Sequence, residues 1–136
     1  MKYLLPINNS KLSLETVKKS IEQIEENAEI IFIHCVPTQK SRQDNVLTNN
    51  QSKRESLADT AITHATEICE EYNINYTTEI FYAESIPKGI KEAEKEYEPD
   101  AVIMSHRNTR PPTKSITKNV LQETETPVTV FTEKTL

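Results

Sequence analysis

The fold class is decided by one stretch of the chain, Glu29-Ile30-Ile31-Phe32-Ile33-His34-Cys35-Val36. It is nearly all apolar and largely β-branched, and Pro37 follows it directly. A strand that is apolar on both of its faces is typical of the centre of a parallel sheet with helices on both sides. We therefore expect an α/β protein in which this stretch is a buried central strand.

Helical periodicity flanks this strand on both sides. Before it, Ser13 is the candidate N-cap of a helix that runs to Asn27 and whose apolar residues are Leu14, Val17, Ile21 and Ile24. After it, an apolar stripe predicts a second helix from about Ser52 to Tyr72, formed by Leu57, Ala61, Ile62, Ala65, Ile68, Cys69 and Tyr72. Residues 38–52 carry little apolar content and predict a long exposed loop.

The remaining segments continue the alternation of strands and helices. Short apolar runs predict strands at 3–7, 75–82, 101–104 and 127–131, and the alternating pattern of 75–82 favours a position near an edge. Ser85 is the candidate N-cap of a third helix, with Pro87 in its first turn and Pro99 beyond its end. A polar loop is predicted at 105–113, followed by a short helix that Ser115 caps and that runs through Leu121.

This order predicts a single domain over residues 1–136, built on a parallel sheet with helices on both faces. Ligands of such sheets bind at the carboxyl ends of the strands, where the strand order reverses. The loops after the first and fourth strands, residues 8–10 and 105–113, are therefore the first places to look for a site.

Glycine usage excludes two classes of nucleotide-binding protein. The 136 residues include one glycine, Gly89, where average usage of ~7% would give about nine or ten. Glycines allow a backbone to approach phosphate closely, so neither a P-loop nor a G-x-G-x-x-G fingerprint can be written in this chain.

Charge and cysteine usage narrow the class further. The net charge of −5 and the isoelectric point near 5.3 argue against a nucleic-acid partner. No apolar run approaches ~20 residues, so no membrane span is expected. The two cysteines, Cys35 and Cys69, form no C-x-x-C pair, which indicates a reduced, cytoplasmic protein.

Five segments, in the same order as in the family, resemble the universal stress proteins. Residues 4–10 resemble the opening strand and its [V/I]-P-x-D-x-S turn, and residues 31–36 resemble the second strand, which often ends in His-Val. Residues 86–90 are similar to the start of the third helix, and residues 100–104 to the D-[L/I]-I-V-M-G strand. Residues 115–121 and 126–130 are similar to G-S-V-[ST]-x-x-V-L and C-P-V-L-V. The resemblance implies a Rossmann-like fold of the adenine nucleotide alpha hydrolase type, a five-stranded parallel sheet in the order 3-2-1-4-5.

The resemblance also indicates where ATP would bind and where this chain departs from the pattern. ATP-binding members carry G-x2-G-x9-G-[ST] after the fourth strand, and the first two glycines correspond to Ser105 and Asn108. The third corresponds to Lys114 only if the nine-residue spacer is shortened to the five residues 109–113, and only the closing Ser115 is retained. The usual acid of the first turn is Asn8. The family's nucleotide-binding positions are here Pro6, Ile7, Asn8, Cys35, Met104, Ser105, His106, Arg107, Asn108, Lys114, Ser115, Ile116 and Thr117.

Two functions follow from this pattern. The first is a universal stress protein-like module that does not bind ATP in the usual pocket, has no cofactor, and acts as a stress-response interaction or regulatory protein. The alternative is an ATP- or AMP-binding member with weak hydrolysis at most, because His106, Arg107, Arg110 and Lys114 make the 105–117 segment basic. An enzyme of the wider superfamily is a third reading that no acid pair or catalytic cysteine favours.

The last strand and several single side chains carry further expectations. The resemblance implies a homodimer through the last strand, residues Pro127, Val128, Thr129, Val130, Phe131 and Thr132. An unidentified protein partner is expected as well. His34 is predicted to be a hydrogen-bonded histidine at a strand end, His64 to lie near the surface, and Cys69 to belong to the core. The five tyrosines are expected to pack in the core, and no metal site is expected.

Overall fold

The structure, a computed structural model, describes residues 1–8, 10–37, 44–106 and 116–132. The strands are β1 Lys2–Pro6, β2 Glu29–Pro37, β3 Asn75–Ala83, β4 Ala101–His106 and β5 Val128–Thr132. The helices are α1 Lys11–Gln23, α2 Asp44–Glu71, α3 Ile86–Tyr97 and α4 Ile116–Glu123. Among the described helices, none combines the length and the apolar character that a membrane span requires.

The strands form one parallel sheet in the order β3-β2-β1-β4-β5, as predicted. β2 is paired along its whole length with β3, from Glu29↔Asn75 to Pro37↔Ala83, and with all of β1 on its other side. Its apolar residues are buried on both faces, so the prediction of a buried inner strand is confirmed. β3 and β5 lie at the two edges.

Two apolar cores lie on opposite faces of the sheet. On one face, α1 and α2 pack on alternate strand residues in a cluster that includes Leu5, Val17, Ile21, Ile30, Phe32, Ala61, Ala65 and Cys69. On the other face, α3 and α4 pack on the intervening residues in a cluster that includes Leu4, Ile31, Ile33, Cys35, Phe81, Ile90, Val102 and Val120. The period-2 alternation of the strands therefore supplies both cores from one sheet.

Gly89 marks the closest approach of α3 to the sheet. A Cβ atom at this position would lie 2.7 Å from Cys35 Sγ, 3.3 Å from Cys35 Cβ and 3.6 Å from Ala83 Cβ. The glycine is helical rather than at positive φ, so its use is steric and not conformational. The single glycine thus lets α3 pack directly against the carboxyl-terminal half of β2.

The cap of α1 corrects one prediction. The N-cap is Ser10, whose Oγ accepts a hydrogen bond from Ser13 N at 3.1 Å, so Ser13 lies inside the helix rather than at its cap. Both serines suit a cap, and the geometry favours the earlier one because Ser13 is buried and binds the turn before it. The helix also ends at Gln23, before the predicted Asn27, because the backbone of Ile24 is already extended.

Two predicted loops are shorter than expected. Residues 44–52 belong to α2, although Asn, Asp, Thr and Ser, which are weak helix formers, make up most of this segment and no continuous apolar stripe marks it. Residues 38–43 lie outside the described part. Ser105 and His106 belong to β4, where they pair with Phe131 and Thr132. Residues 107–113 of that second loop lie outside the described part, as does Ser115.

The ends of α3 lie where the sequence predicts them, whereas the prediction that the tyrosines pack in the core is correct only in part. The hydroxyl of Ser85 caps α3 by accepting from Lys88 N, and the helix ends at Glu98 in a left-handed conformation just before Pro99. Tyr72 is 58% exposed and Tyr82 is 44% exposed, so the expectation that they pack in the core, and the place of Tyr72 in the apolar stripe of α2, are wrong. Tyr72 lies in the turn that follows the end of α2 at Glu71, where the chain no longer packs on the sheet as a helix.

Candidate functional site

A crevice opens between β1 and β4 at their carboxyl ends. The two strands pair only at Tyr3↔Ala101 and Leu4↔Val102. Beyond this point β1 continues to Pro6 alongside Ile33 of β2, and β4 continues to His106 alongside β5. The chain leaves β1 toward β2 and leaves β4 toward β5, so the strand order reverses here, as predicted for a ligand site.

The turn after β1 is closed by its own hydrogen bonds. Asn8 N donates to Ser13 Oγ at 3.0 Å, and Ser10 N donates to Asn8 Oδ1 at 2.9 Å. Ser13 N in turn donates to Ser10 Oγ. The side-chain oxygen of Asn8 therefore already accepts one hydrogen bond within the turn, and the amide group carries no charge that it could offer to a cation.

His34 joins this turn to β2. Its Nδ1 lies 2.9 Å from Ile7 O, and because a carbonyl only accepts, Nδ1 carries the hydrogen. Burial lowers the pKa of the imidazole below its usual value, which keeps the ring neutral. Ile7 N also donates to Ile33 O at 2.8 Å, so the chain just after β1 is held at two points. The prediction of a hydrogen-bonded histidine at a strand end is confirmed.

Cys35 lies beneath this region on the α3 face of the sheet. It is buried against Met104 and Ile90, and burial raises the pKa of its thiol to about 12. A thiol with that pKa is protonated at neutral pH and is a poor nucleophile or metal ligand. Cys69 is likewise fully buried with its pKa raised to about 11, which confirms its assignment to the core.

The β4 side of the crevice is only partly described. Met104 is buried, and Ser105 and His106 are half-buried within the β4–β5 ladder. Ile116 and Thr117 form the start of α4. Arg107, Asn108, Arg110, Lys114 and Ser115, which the sequence assigns to the nucleotide loop, lie outside the described residues.

The structure thus brings part of the predicted site together. Beyond the last β1–β4 pair, Pro6, Ile7 and Asn8 lie at the carboxyl end of β1, and Met104 and Ser105 lie at the carboxyl end of β4. His34 is hydrogen-bonded to the backbone carbonyl of Ile7. Sequence reasoning did not foresee the roles of Ser13 and His34 in this turn. A buried serine on the polar side of a helix is the signal that could have indicated the first. Nothing in the sequence pairs His34 with the carbonyl of Ile7.

The β5 edge carries the residues predicted for the dimer interface. Val128 and Val130 are half-buried on the α3 and α4 side, Phe131 is buried on the other face, and Thr129 is exposed. Leu121 of α4, which is 51% exposed, is the large apolar side chain nearest in sequence to this strand. Within the described residues, β5 pairs with β4 alone, so its outer edge offers backbone groups to a further strand.

Metal chemistry finds no support in this part of the chain. In residues 1–8, 10–37, 44–106 and 116–132, no three His, Cys, Asp or Glu side chains come together as metal ligands. His64, exposed on α2 as predicted, has no such neighbours among them.

Comparison with known proteins identifies the family. A sequence model of the universal stress protein family matches residues 1–132. The chain belongs to this family. No curated protein matches it at a significant level.

Solved universal stress proteins share the fold at low sequence identity. The protein from Archaeoglobus fulgidus is 13% identical with a TM-score of 0.74, over 96% of this chain and 92% of that one. A family member from Arabidopsis thaliana with AMP bound is 13% identical with a TM-score of 0.72, over 97% and 91%. The Archaeoglobus fulgidus protein in complex with dAMP gives 13% identity and a TM-score of 0.71, over 96% of both chains.

Proposed function

We propose that this universal stress protein does not bind ATP in the family's usual pocket and acts as a dimeric, cytoplasmic interaction or regulatory protein of the stress response. The observation that carries the proposal is the state of the turn after β1. Where the family has an acid, this chain has Asn8, whose side-chain oxygen is already used by Ser10 N at 2.9 Å. The turn therefore presents no carboxylate to a nucleotide or to its metal ion.

The end of β4 supports the same proposal. The position that corresponds to the first glycine of the ATP motif is Ser105, which sits in register with Phe131 in the β4–β5 ladder. A serine there adds a side chain and narrows the backbone choices that a phosphate-binding turn needs. No catalytic step is part of the proposal, because the one thiol beside the crevice, Cys35, is buried and protonated.

Dimerisation through β5 is the second part of the proposal. Val128 and Val130 remain half-buried at an edge that no other described strand covers. Antiparallel pairing of two copies along residues 127–132 would satisfy the outer backbone groups and shield these side chains. Sedimentation that returned only a monomer at micromolar protein would contradict this part.

Binding of an adenine nucleotide is the second candidate function. It is favoured by the crevice between β1 and β4, since related proteins of this fold were crystallised with AMP and with dAMP. In this reading the amide of Asn8 and the basic 105–117 segment would replace the glycine backbone in holding a phosphate.

Thermal unfolding in the presence of nucleotide separates the two candidates. A ligand at 100 times its Kd stabilises the folded state by ~2.7 kcal/mol, which corresponds to roughly 10 °C in Tm for a domain of this size. We expect no shift at millimolar ATP with Mg²⁺, and the same protein with AMP serves as the test of the alternative. A shift with AMP alone would favour a smaller ligand, and a shift with ATP would overturn the proposal.

A further inference from the structure

The edge of the sheet opposite to β5 is a long strand that carries a single charged residue and none of the other features that usually protect an edge. β3 runs for nine residues, Asn75–Ala83, and pairs with β2 on one side. None of the described residues pairs with its other side. It has no proline, no lysine and no positive-φ residue, and it is rich in Thr, Tyr, Ile and Phe. Edge strands of this length are normally blunted by such residues, because they otherwise recruit another strand.

The register identifies which backbone groups of β3 face outward. Glu29 N donates to Met1 O and Ile7 N donates to Ile33 O, so the odd-numbered residues of β2 direct their backbone groups toward β1. Backbone groups alternate in direction along a strand, so the even-numbered residues of β2 face β3. With Ile30 paired to Tyr76, the odd-numbered residues of β3 face β2, and Tyr76, Thr78 and Ile80 direct their N–H and C=O groups outward.

The charge at this edge is negative. Glu79, at the midpoint of β3, is the only charged residue of the strand. It accepts a hydrogen bond from the hydroxyl of Tyr97 on α3 at 2.5 Å. Glu96 lies next to it, and Glu29 is bonded to Thr77 at 3.2 Å on the same side. Burial raises the pKa of the Tyr97 hydroxyl, and the hydrogen bond to Glu79 together with the negative charges of Glu79, Glu96 and Glu29 raises it further.

The negative charge of Glu79 favours a partner of different sequence over a second copy of this chain. Two copies that paired antiparallel along all of β3 would place Glu79 directly opposite its own symmetry mate, which is destabilising. A strand with a lysine or arginine at that position would instead form a favourable cross-strand pair. A basic partner also reduces the repulsion among the three carboxylates.

We propose that the outer edge of β3 is a docking site for an extended, basic segment of a partner protein, which adds to the sheet as a sixth strand with a lysine or arginine opposite Glu79. The proposal rests on the proposed role as an interaction protein and names the surface that performs it. Backbone hydrogen bonds to Tyr76, Thr78 and Ile80 supply the binding, and the carboxylates select a basic sequence. This edge is on the opposite side of the sheet from β5, so dimerisation and docking are compatible.

Amide hydrogen exchange with a defined peptide tests the proposal. The probe is a nine-residue peptide of alternating threonine and valine with a central lysine, and its match carries a central glutamate. Added to the full chain, the lysine peptide is expected to protect the amides of Tyr76, Thr78 and Ile80 at least tenfold. The amides of Thr77 and Glu79 face β2 and serve as internal controls that change little. Protection of neither set, or equal protection by both peptides, would overturn the proposal.

Charge variants test the selection. Glu79→Gln keeps an acceptor for Tyr97 and is expected to weaken the lysine peptide several-fold, while Glu79→Lys should reverse the preference toward the glutamate peptide. Glu22→Gln, on the exposed side of α1, is the matched control that leaves binding unchanged. Unaltered peptide affinity in both Glu79 variants would overturn the charge assignment. If the same amides became protected when the protein concentration was raised without peptide, two copies would be pairing with each other, and the charge assignment would be overturned as well.

A second titration distinguishes failure of the β3 docking site from failure of the proposed function. ATP titrated into the same samples reports on the crevice between β1 and β4 and not on β3. ATP binding together with peptide binding would contradict the proposed function alone, whereas the absence of both would contradict the docking site alone.

Discussion

Replacing Gly89 by alanine tests how closely α3 packs on the sheet. The new Cβ would lie 2.7 Å from Cys35 Sγ and 3.3 Å from Cys35 Cβ, both well inside ordinary contact distance. Overpacking of this kind costs about 1–3 kcal/mol, and the higher helix propensity of alanine returns about 1 kcal/mol. Because a contact of 2.7 Å cannot be accommodated without a shift of the neighbouring atoms, the cost belongs in the upper part of that range, about 2–3 kcal/mol. We therefore expect a net loss of about 1–2 kcal/mol in the free energy of unfolding, or roughly 5 °C in Tm.

Urea denaturation of a double-mutant cycle with Cys35→Ala isolates the contact. In the Cys35→Ala background the sulfur is gone, and the nearest neighbours of the new Cβ are Cβ atoms at 3.3 and 3.6 Å. Gly89→Ala should therefore be neutral or stabilising when it is added to Cys35→Ala. Lys91→Ala, at an exposed position of the same helix, is the control and should change stability by less than about 0.5 kcal/mol. The packing argument is refuted if Gly89→Ala is as stable as the parent, or if its cost is the same with and without the Cys35 sulfur.

Three further predictions concern the crevice and the β5 edge. Burial lowers the pKa of His34 in the folded state, so the contribution of His34 to stability is complete above about pH 6.5 and is lost as the pH falls through the folded-state pKa. Urea titrations at a series of pH values should therefore show a smaller loss of stability at low pH for His34→Gln than for the natural chain. An unchanged pH profile of stability in the variant would contradict this assignment. Ser10→Ala removes the cap of α1 and should cost about 1 kcal/mol, whereas a neutral result would deny the cap. Val130→Lys should give a monomer in sedimentation while Tyr72→Lys leaves the dimer intact, and equal masses would count against the β5 interface.

Much of the fold could be predicted from β2 alone. A stretch that is apolar at both odd and even positions fits only a strand covered on both faces, and the alternation of its neighbours then requires a parallel sheet. The carboxyl-terminal end of β4, which pairs with β5, was harder to predict. Ser105 and His106 are polar and resemble loop residues, yet they are strand residues because β5 supplies ladder partners that no local pattern reveals.

Helix starts were the weakest part of the sequence reasoning. Ser10 and Ser13 are equally good caps by chemistry, and the choice depends on the hydrogen bond from Asn8 N to Ser13 Oγ, a contact set by tertiary geometry. The first turns of α2 contain no apolar periodicity, so a method that reads periodicity assigns them to a loop.

The candidate site could be placed by topology but not described in detail by sequence. Reversal of strand order locates it between β1 and β4 whatever the side chains are. The bond between His34 and Ile7 O joins residues 27 apart in the chain, and it depends on the register of β1 and β2. The single glycine, by contrast, is explained only by the structure, since a Cβ atom at its position on α3 would meet Cys35 and Ala83 of the sheet.

Calorimetric titration of ATP with Mg²⁺ into the chain tests the central claim most directly. A matched titration uses Asn8→Asp, which restores the family's acid in the turn after β1. We predict no binding heat up to millimolar ATP for the natural chain, because the turn after β1 carries the uncharged Asn8 in place of a carboxylate and Ser105 belongs to the β4–β5 ladder. Saturable binding of ATP at micromolar concentration by the natural chain would contradict the account.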